Sequence, residues 1–295
     1  MFSVKRKERT DNMVKIIADS TCDLSQELIK RYDITILPLH ILLGEEEYED
    51  GTEITPDEIY RWSDEHKTTP KTSAVSIDKT AEAFRSCVDN GNEVVCFSVS
   101  GKMSTTCNVM RLAAEMLDEK ASMVQAIDSE SLSTGGGLLV IEAALMAQKG
   151  CSAAEIADEI NQMRAKVRAS FVVDTLTYLH RGGRCSGLTA MAGSALKLHP
   201  RIDVTDGSMT SGKKYRGKMD KVIMSYVTDM VADLKKARKG RVFITHSGCS
   251  PEILDQVHQY LAGLGVFEEI LTTRAGGVIS SHCGPGTLGV LYIEA

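Results

Sequence analysis

Glu93-Val94-Val95-Cys96-Phe97-Ser98-Val99 is followed by Ser104–Leu117 and then by Val124–Ile127. Those three pieces decide the fold class. The first is a continuous apolar run of the kind carried by a strand buried on both faces. The second spaces Val109, Leu112, Ala113 and Met116 along one helical face. The third is again short and apolar. Strand, helix and strand in that order form the unit from which parallel sheets are built.

The same alternation extends upstream. Val14–Ala18 reads as a strand ending at Asp19-Ser20-Thr21, and a helix opens after it with Asp23 or Ser25 as N-cap. Ile34–Leu43 reads as extended but broken by Pro38. Thr55-Pro56-Asp57-Glu58 starts a helix, with proline in the first turn and acids facing the dipole, and Lys79–Cys87 continues the pattern. Downstream, Asp128-Ser129 leads to Gly135-Gly136-Gly137 at the head of a long helix. The fold class is α/β, with a largely parallel, Rossmann-like sheet in the N-terminal half.

The second half reads differently. A helix over Ala153–Arg168 precedes a strand at Ser170–Val173 and a short helix at Thr175–His180. A small-residue helix is expected over Leu188–Leu198, and a hairpin around Asp206-Gly207 joins Ile202–Val204 to Ser208–Thr210. Helices at Met219–Lys236 and Pro251–Leu264, with strands at Val242–Thr245 and Leu288–Ile293, complete a C-terminal α/β domain with a mixed or antiparallel sheet. The expected organisation is a disordered tail over 1–13, an N-terminal domain over 14–168 and a C-terminal domain over 169–295, with a ligand between the two.

At 295 residues and 43% hydrophobic, the chain can bury a core large enough for two domains. Its net charge of −6 gives no electrostatic support to a nucleic-acid role. The basic run Lys5-Arg6-Lys7 with Arg9 has no apolar segment after it, so it does not read as a signal peptide. The apolar stretch around Gly137–Ala147 is interrupted by Glu142 and is too short to span a bilayer. Eight cysteines show neither C-x-x-C nor zinc-ligand spacing, which fits a reducing cytosol. No metal or cofactor is expected.

Three polar elements carry the candidate chemistry. Ser281-His282-Cys283-Gly284-Pro285-Gly286 puts an ionisable ring beside glycines that let a ligand approach the backbone. Thr72-Ser73 follows Pro70 in a loop, and Ser104-Thr105-Thr106 precedes a helix whose free N–H groups favour an anion. The plainer readings are a solvated turn histidine, a turn and an N-cap. Neutral hydroxyls with one histidine suit a single negative charge such as a carboxylate. Gly135-Gly136-Gly137 matches no dinucleotide or P-loop fingerprint and reads as close helix packing. After Gly182-Gly183, Arg184 is a candidate either for binding an anion or for pairing with an acid across the domain junction.

In several ordered segments the chain resembles the DegV family, the bacterial fatty-acid-binding subunits that serve a separate fatty-acid kinase. The segments are Ile17–Leu24, Thr72-Ser73 with Ser76, Asp128-Ser129, Leu176–Ser186, Lys214-Tyr215-Arg216-Gly217 and His282–Gly286. One segment departs. The family usually shows S-S-x-L-S-G-T, whereas Ser100-Gly101-Lys102-Met103-Ser104-Thr105-Thr106 stands here, with Thr105 in place of glycine. A different backbone angle, or less room beside the head group, is expected from that exchange.

The resemblance implies a long-chain fatty acid held between two α/β domains, its carboxylate met by Thr72, Ser73, Ser104, Thr106 and His282. It further implies that a partner kinase converts the bound carboxylate to an acyl phosphate for phospholipid synthesis. Arg184 is then expected near the domain junction and Arg216 on the kinase-facing surface. The chain itself is expected to be a cytoplasmic carrier without turnover, with no membrane association. Burying the tail gains about 0.8 kcal/mol per methylene, roughly 10 kcal/mol gross for sixteen carbons, and binding costs take back much of that. Ala190, Ala192, Gly193, Ser194 and Ala195 are candidates to line a narrow tunnel. A rival reading makes Ser104 a nucleophile, His282 its base and Asp19 or Asp128 the orienter, giving a lipid hydrolase. A third is a regulatory or structural protein with a vestigial pocket.

Overall fold

The computed structural model describes residues 13–184 and 198–295; the counts below refer to these. In chain order come β1 (Val14–Asp19), α1 (Gln26–Arg31), β2 (Ile34–Leu37), β3 (His40–Leu43), β4 (Glu46–Glu49), α2 (Pro56–His66), β5 (Lys71–Ser73) and α3 (Ile77–Val88). Next are β6 (Glu93–Ser98), α4 (Thr106–Glu115), β7 (Val124–Asp128), α5 (Thr134–Gln148), α6 (Ala153–Met163), β8 (Val167–Val172) and α7 (Thr177–Arg181). The rest are β9 (Leu198–Thr205), β10 (Ser208–Arg216), α8 (Met219–Asp229), α9 (Val231–Leu234), β11 (Ala237–His246), α10 (Pro251–Gly263), β12 (Glu269–Arg274), α11 (Gly277–Cys283) and β13 (Leu288–Glu294).

The α/β reading holds. A four-stranded, wholly parallel sheet runs in the order β2-β1-β6-β7. A six-stranded mixed sheet runs β10-β9-β8-β13-β11-β12, parallel only between β11 and β12. A small antiparallel sheet, β4-β3-β5, stands apart from both.

Helix α5 explains how the two large sheets meet. Its residues Leu138, Leu139, Val140 and Ile141 are all fully buried, so it is apolar all round rather than striped. One core cluster joins them to Ile16 and Val95 of the parallel sheet and to Phe243, Leu291 and Ile293 of the mixed sheet. Glu142, which interrupts this run, takes Arg238 at 3.0 Å and Arg241 at 2.7 Å. The glycines at its head allow the close packing expected of them: a Cβ on Gly137 would lie 2.7 Å from the Cys22 carbonyl oxygen.

Most helix starts follow the capping logic. Ser25 accepts from Leu28 N–H, and Thr55 with Glu58 completes a capping box on α2. Two helices are shorter than their periodicity predicts. The one expected over Ala153–Arg168 ends at Met163, because Val167–Val172 is claimed by pairing with β13 and β9. Met219–Lys236 is divided at Met230, whose N–H bonds the Val227 carbonyl and tightens the turn. The hairpin turn is as read, with Asp206 and Gly207 both at positive φ, as a two-residue turn of the primed type requires. The helix expected over Leu188–Leu198 and the small-residue set Ala190–Ala195 lie outside the described residues, except Leu198, which opens β9. Residues 1–12 of the expected tail also lie outside them.

Candidate functional site

In the parallel sheet the strand order reverses between β1 and β6, and crevices form beyond the carboxyl ends of strands at such a switch point. A cavity of about 510 Å³ opens there, within the range of small-molecule sites. Thr21 comes from the end of β1, and Val99 with the 101–105 loop from the end of β6. The exposed residues Ser73, Gly101, Lys102 and Thr105 mark its mouth. Deeper in, Leu132, Leu179, Met209, Val278 and Cys283 are buried and apolar.

The loops at the strand ends are tied together by Asp19. Its carboxylate accepts from Thr21 N–H at 3.0 Å and from Val99 N–H at 2.8 Å, and also from the Thr21 hydroxyl. Burial pushes its pKa up to about 6 against these donors. Ser100 donates to the Gly207 carbonyl at 2.7 Å, so the tip of the β9–β10 hairpin docks on the same loop and brings Met209 to the cavity.

His282 occupies the last turn of α11, not a surface turn. Its Nε2 lies 2.9 Å from the Thr72 hydroxyl, while Nδ1 is buried without a partner and faces Gly182. A Cβ on Gly182 would fall 2.3 Å from that nitrogen, so the ring fits only beside glycine. Burial, with Arg184 adding to it, holds the His282 pKa down to about 4. The ring is therefore neutral at pH 7, and the charge-assisted bond of a protonated ring is not what this pocket offers in the absence of a ligand.

Helix α11 is anchored from outside its own sequence. Its entry is Gly276-Gly277, which has no side chain to cap it. Asp23 accepts from Gly276 N–H at 2.8 Å, and Asp50 from Gly277 N–H at 2.7 Å. Ser133 donates to Asp23, and Ser20 donates to Asp50 at 2.7 Å. Burial raises both carboxyls, Asp23 to about 8.

Five of the residues singled out from sequence meet at this cavity: Thr72, Ser73, Ser104, Arg184 and His282. Thr106 does not reach it. It is fully buried, and its hydroxyl lies 2.9 Å from that of Ser104, whose oxygen also accepts the Thr106 N–H at 3.2 Å. Thr106 therefore supports Ser104 rather than facing a ligand. Arg216 is exposed on the edge strand β10, away from the cavity. Arg184 donates to the carbonyls of Met103 at 3.3 Å and Gly182 at 2.7 Å, and among the described residues it pairs with no acid. Thr105 lies at φ −83° and ψ 0°, a conformation open to any residue, so its replacement of glycine imposes no backbone strain.

The hydrolase relay is not assembled. Ser104 bonds Thr106, His282 bonds Thr72, Asp19 holds Thr21 and Val99, and Asp128 takes the amides of Gly101 and Glu130. Among the described residues no group of three or more His, Cys, Asp or Glu side chains is placed to hold a metal ion. Sequence reasoning missed Thr21, Lys102 and Met209 as cavity residues. Only Thr21 left a signal, by following a strand at its carboxyl end.

The model of the DegV family, described as an uncharacterised protein family, matches residues 13–295. A DegV domain-containing protein of Clostridium perfringens is 31% identical over 281 residues, covering 95% of this chain and 98% of its own. A DegV family protein from Thermus thermophilus, solved in a study of its fatty acid binding, superposes with a TM-score of 0.87 at 30% identity, covering 96% of this chain and all of that one. A stearic acid-binding protein from Eubacterium ventriosum superposes with a TM-score of 0.83, also at 30% identity, covering 96% and 98%.

Proposed function

We propose, from the premise that the chain belongs to the DegV family, that it binds a long-chain fatty acid in the 510 Å³ cavity and presents it to a separate kinase. The observation that carries this reading is the cavity's two-ended character. Hydroxyls of Thr72, Ser73 and Ser104 and the His282 ring gather at one end, and buried aliphatic side chains line the other. A carboxylate leaving water needs hydrogen-bond donors, and an alkyl tail needs none. The fatty acids reported for the Thermus and Eubacterium relatives support the same reading.

In this reading the acid lies between residues 14–168 and 169–295, taken as two domains. The kinase phosphorylates the carboxylate, and the acyl phosphate leaves on this carrier toward phospholipid synthesis. Arg216, exposed on β10, belongs to the kinase-facing surface, and Arg184 ties α7 to the 101–105 loop at the cavity rim. The carrier has no turnover of its own and works in the cytoplasm.

Native mass spectrometry of the purified chain, followed by identification of released lipid, tests the first step. A stoichiometric fatty acid is expected; a chain that stays empty after saturated and unsaturated acids are added overturns the reading. For the second step, Arg216→Glu is expected to retain its lipid while slowing acyl-phosphate formation by the kinase. Unchanged kinetics would remove Arg216 from that surface.

A further inference from the structure

Behind the apolar end of the cavity lies a second, smaller void of about 20 Å³. It sits between α11 and the mixed sheet, against Phe171 of β8, Thr245 of β11 and Leu291 of β13. Leu132, Ile279 and Cys283 line both spaces. Ile279 and Cys283 are four residues apart on α11 and so share one side of it. Val278 and His282 lie one position before each and face only the larger cavity.

The hydroxyls around the inner void are already engaged. Thr245 lies 2.6 Å from the Thr134 hydroxyl, Thr287 donates to the Cys283 carbonyl at 3.0 Å, and Ser133 donates to Asp23. Ser247 donates to the Gly284 carbonyl. What the void offers a visitor is therefore apolar, and an apolar space of this size stays dry and accepts hydrocarbon. Phe171 and Leu291 are buried and fixed by the sheet, whereas Ile279 keeps part of its surface exposed within the cavity.

Resting on the fatty-acid reading above, we propose that Ile279 is the residue that sets tail length. Its side chain forms the partition at which a tail stops, and the void behind it is the room that a longer tail enters when that side chain is shortened. The polar end of the ligand is not involved, so the choice of tail is made without altering the head-group contacts.

The test is competition among saturated acids of about fourteen to twenty carbons for the full-length chain, read by native mass spectrometry. Ile279→Ala is expected to shift the bound population toward longer acids, by about fourfold in relative affinity for each methylene that enters the void. A folded Ile279→Ala protein with the wild-type length profile overturns the proposal. If that variant loses its cooperative thermal transition, Ile279→Val is read instead. A smaller shift in the same direction is then expected, and none overturns the proposal equally. A wild-type chain that takes up no acid would sink the carrier reading itself, which distinguishes that failure from this one.

Discussion

The hydroxyl of Thr72 and Nε2 of His282 lie 2.9 Å apart, joining two positions separated by 210 residues of chain. Thr72 stands on the small antiparallel sheet and His282 on α11, so this one bond ties the sheet carrying Thr72-Ser73 to the helix carrying the ring. The pair is part-buried, and each partner removes a polar group from the cavity wall that would otherwise go unsatisfied.

Thr72→Val keeps the shape and deletes the hydroxyl. The loss is expected to be about 1–3 kcal/mol in ligand affinity, because a carboxylate and His282 both lose a partner. Calorimetric titration with a fatty acid checks it; an unchanged Kd would place the head group elsewhere.

His282 also makes stability depend on pH. Its pKa is about 4 when folded, against an ordinary 6.5. As pH falls from about 6.5 toward 4 the unfolded chain takes up this proton first, so stability present above that window is lost through it. His282→Gln removes the term. Urea midpoints at about pH 7 and pH 4.5 should fall further for wild type than for the variant, and equal falls would contradict the buried neutral ring.

Asp23 acts in the opposite sense. Its folded pKa is about 8, against 3.8 in the open chain, because burial disfavours its charge. The unfolded chain releases this proton first as pH rises from about 4 to 8, so the fold loses stability across that interval. Asp23→Asn, which keeps an acceptor for Gly276 N–H, is expected to flatten this part of the profile. A profile of unchanged slope would count against it.

Gly277→Ala tests the entry to α11. A Cβ there would lie 2.6 Å from Ile41 Cδ1 and 2.8 Å from Asp50 Oδ1. Overpacking of this kind costs about 1–3 kcal/mol, and a fall in the chemical-denaturation midpoint with a matching loss of ligand affinity is expected. A variant as stable as wild type would show that α11 can shift without cost.

The parallel sheet was legible because Glu93–Ser98 and Val124–Asp128 are buried on both faces and read as plain apolar runs. Helices α1 and α2 were legible because Ser25 and Thr55 cap them from adjacent positions. Helix α11 was not. Its first N–H groups are satisfied by Asp23 and Asp50, more than two hundred residues earlier, so nothing beside Gly276-Gly277 announces a helix start. The strands β5 and β12 escaped for other reasons: one is three residues long, and the other is a half-exposed edge. Among the site residues, Thr72, Ser73, Ser104 and His282 stood out by composition. Thr106 was misplaced because sequence does not distinguish a hydroxyl that faces a cavity from one that buttresses its neighbour.

Helix α5 has one further effect. Because a single apolar core wraps it on both sides, the two large sheets have no seam along which to part. Denaturant should melt them in one step rather than two, and a swinging, clamshell motion would tear that core open. Traffic into and out of the cavity is left to its rim, where the 101–105 loop and the hairpin tip at Gly207 meet through the Ser100 hydroxyl.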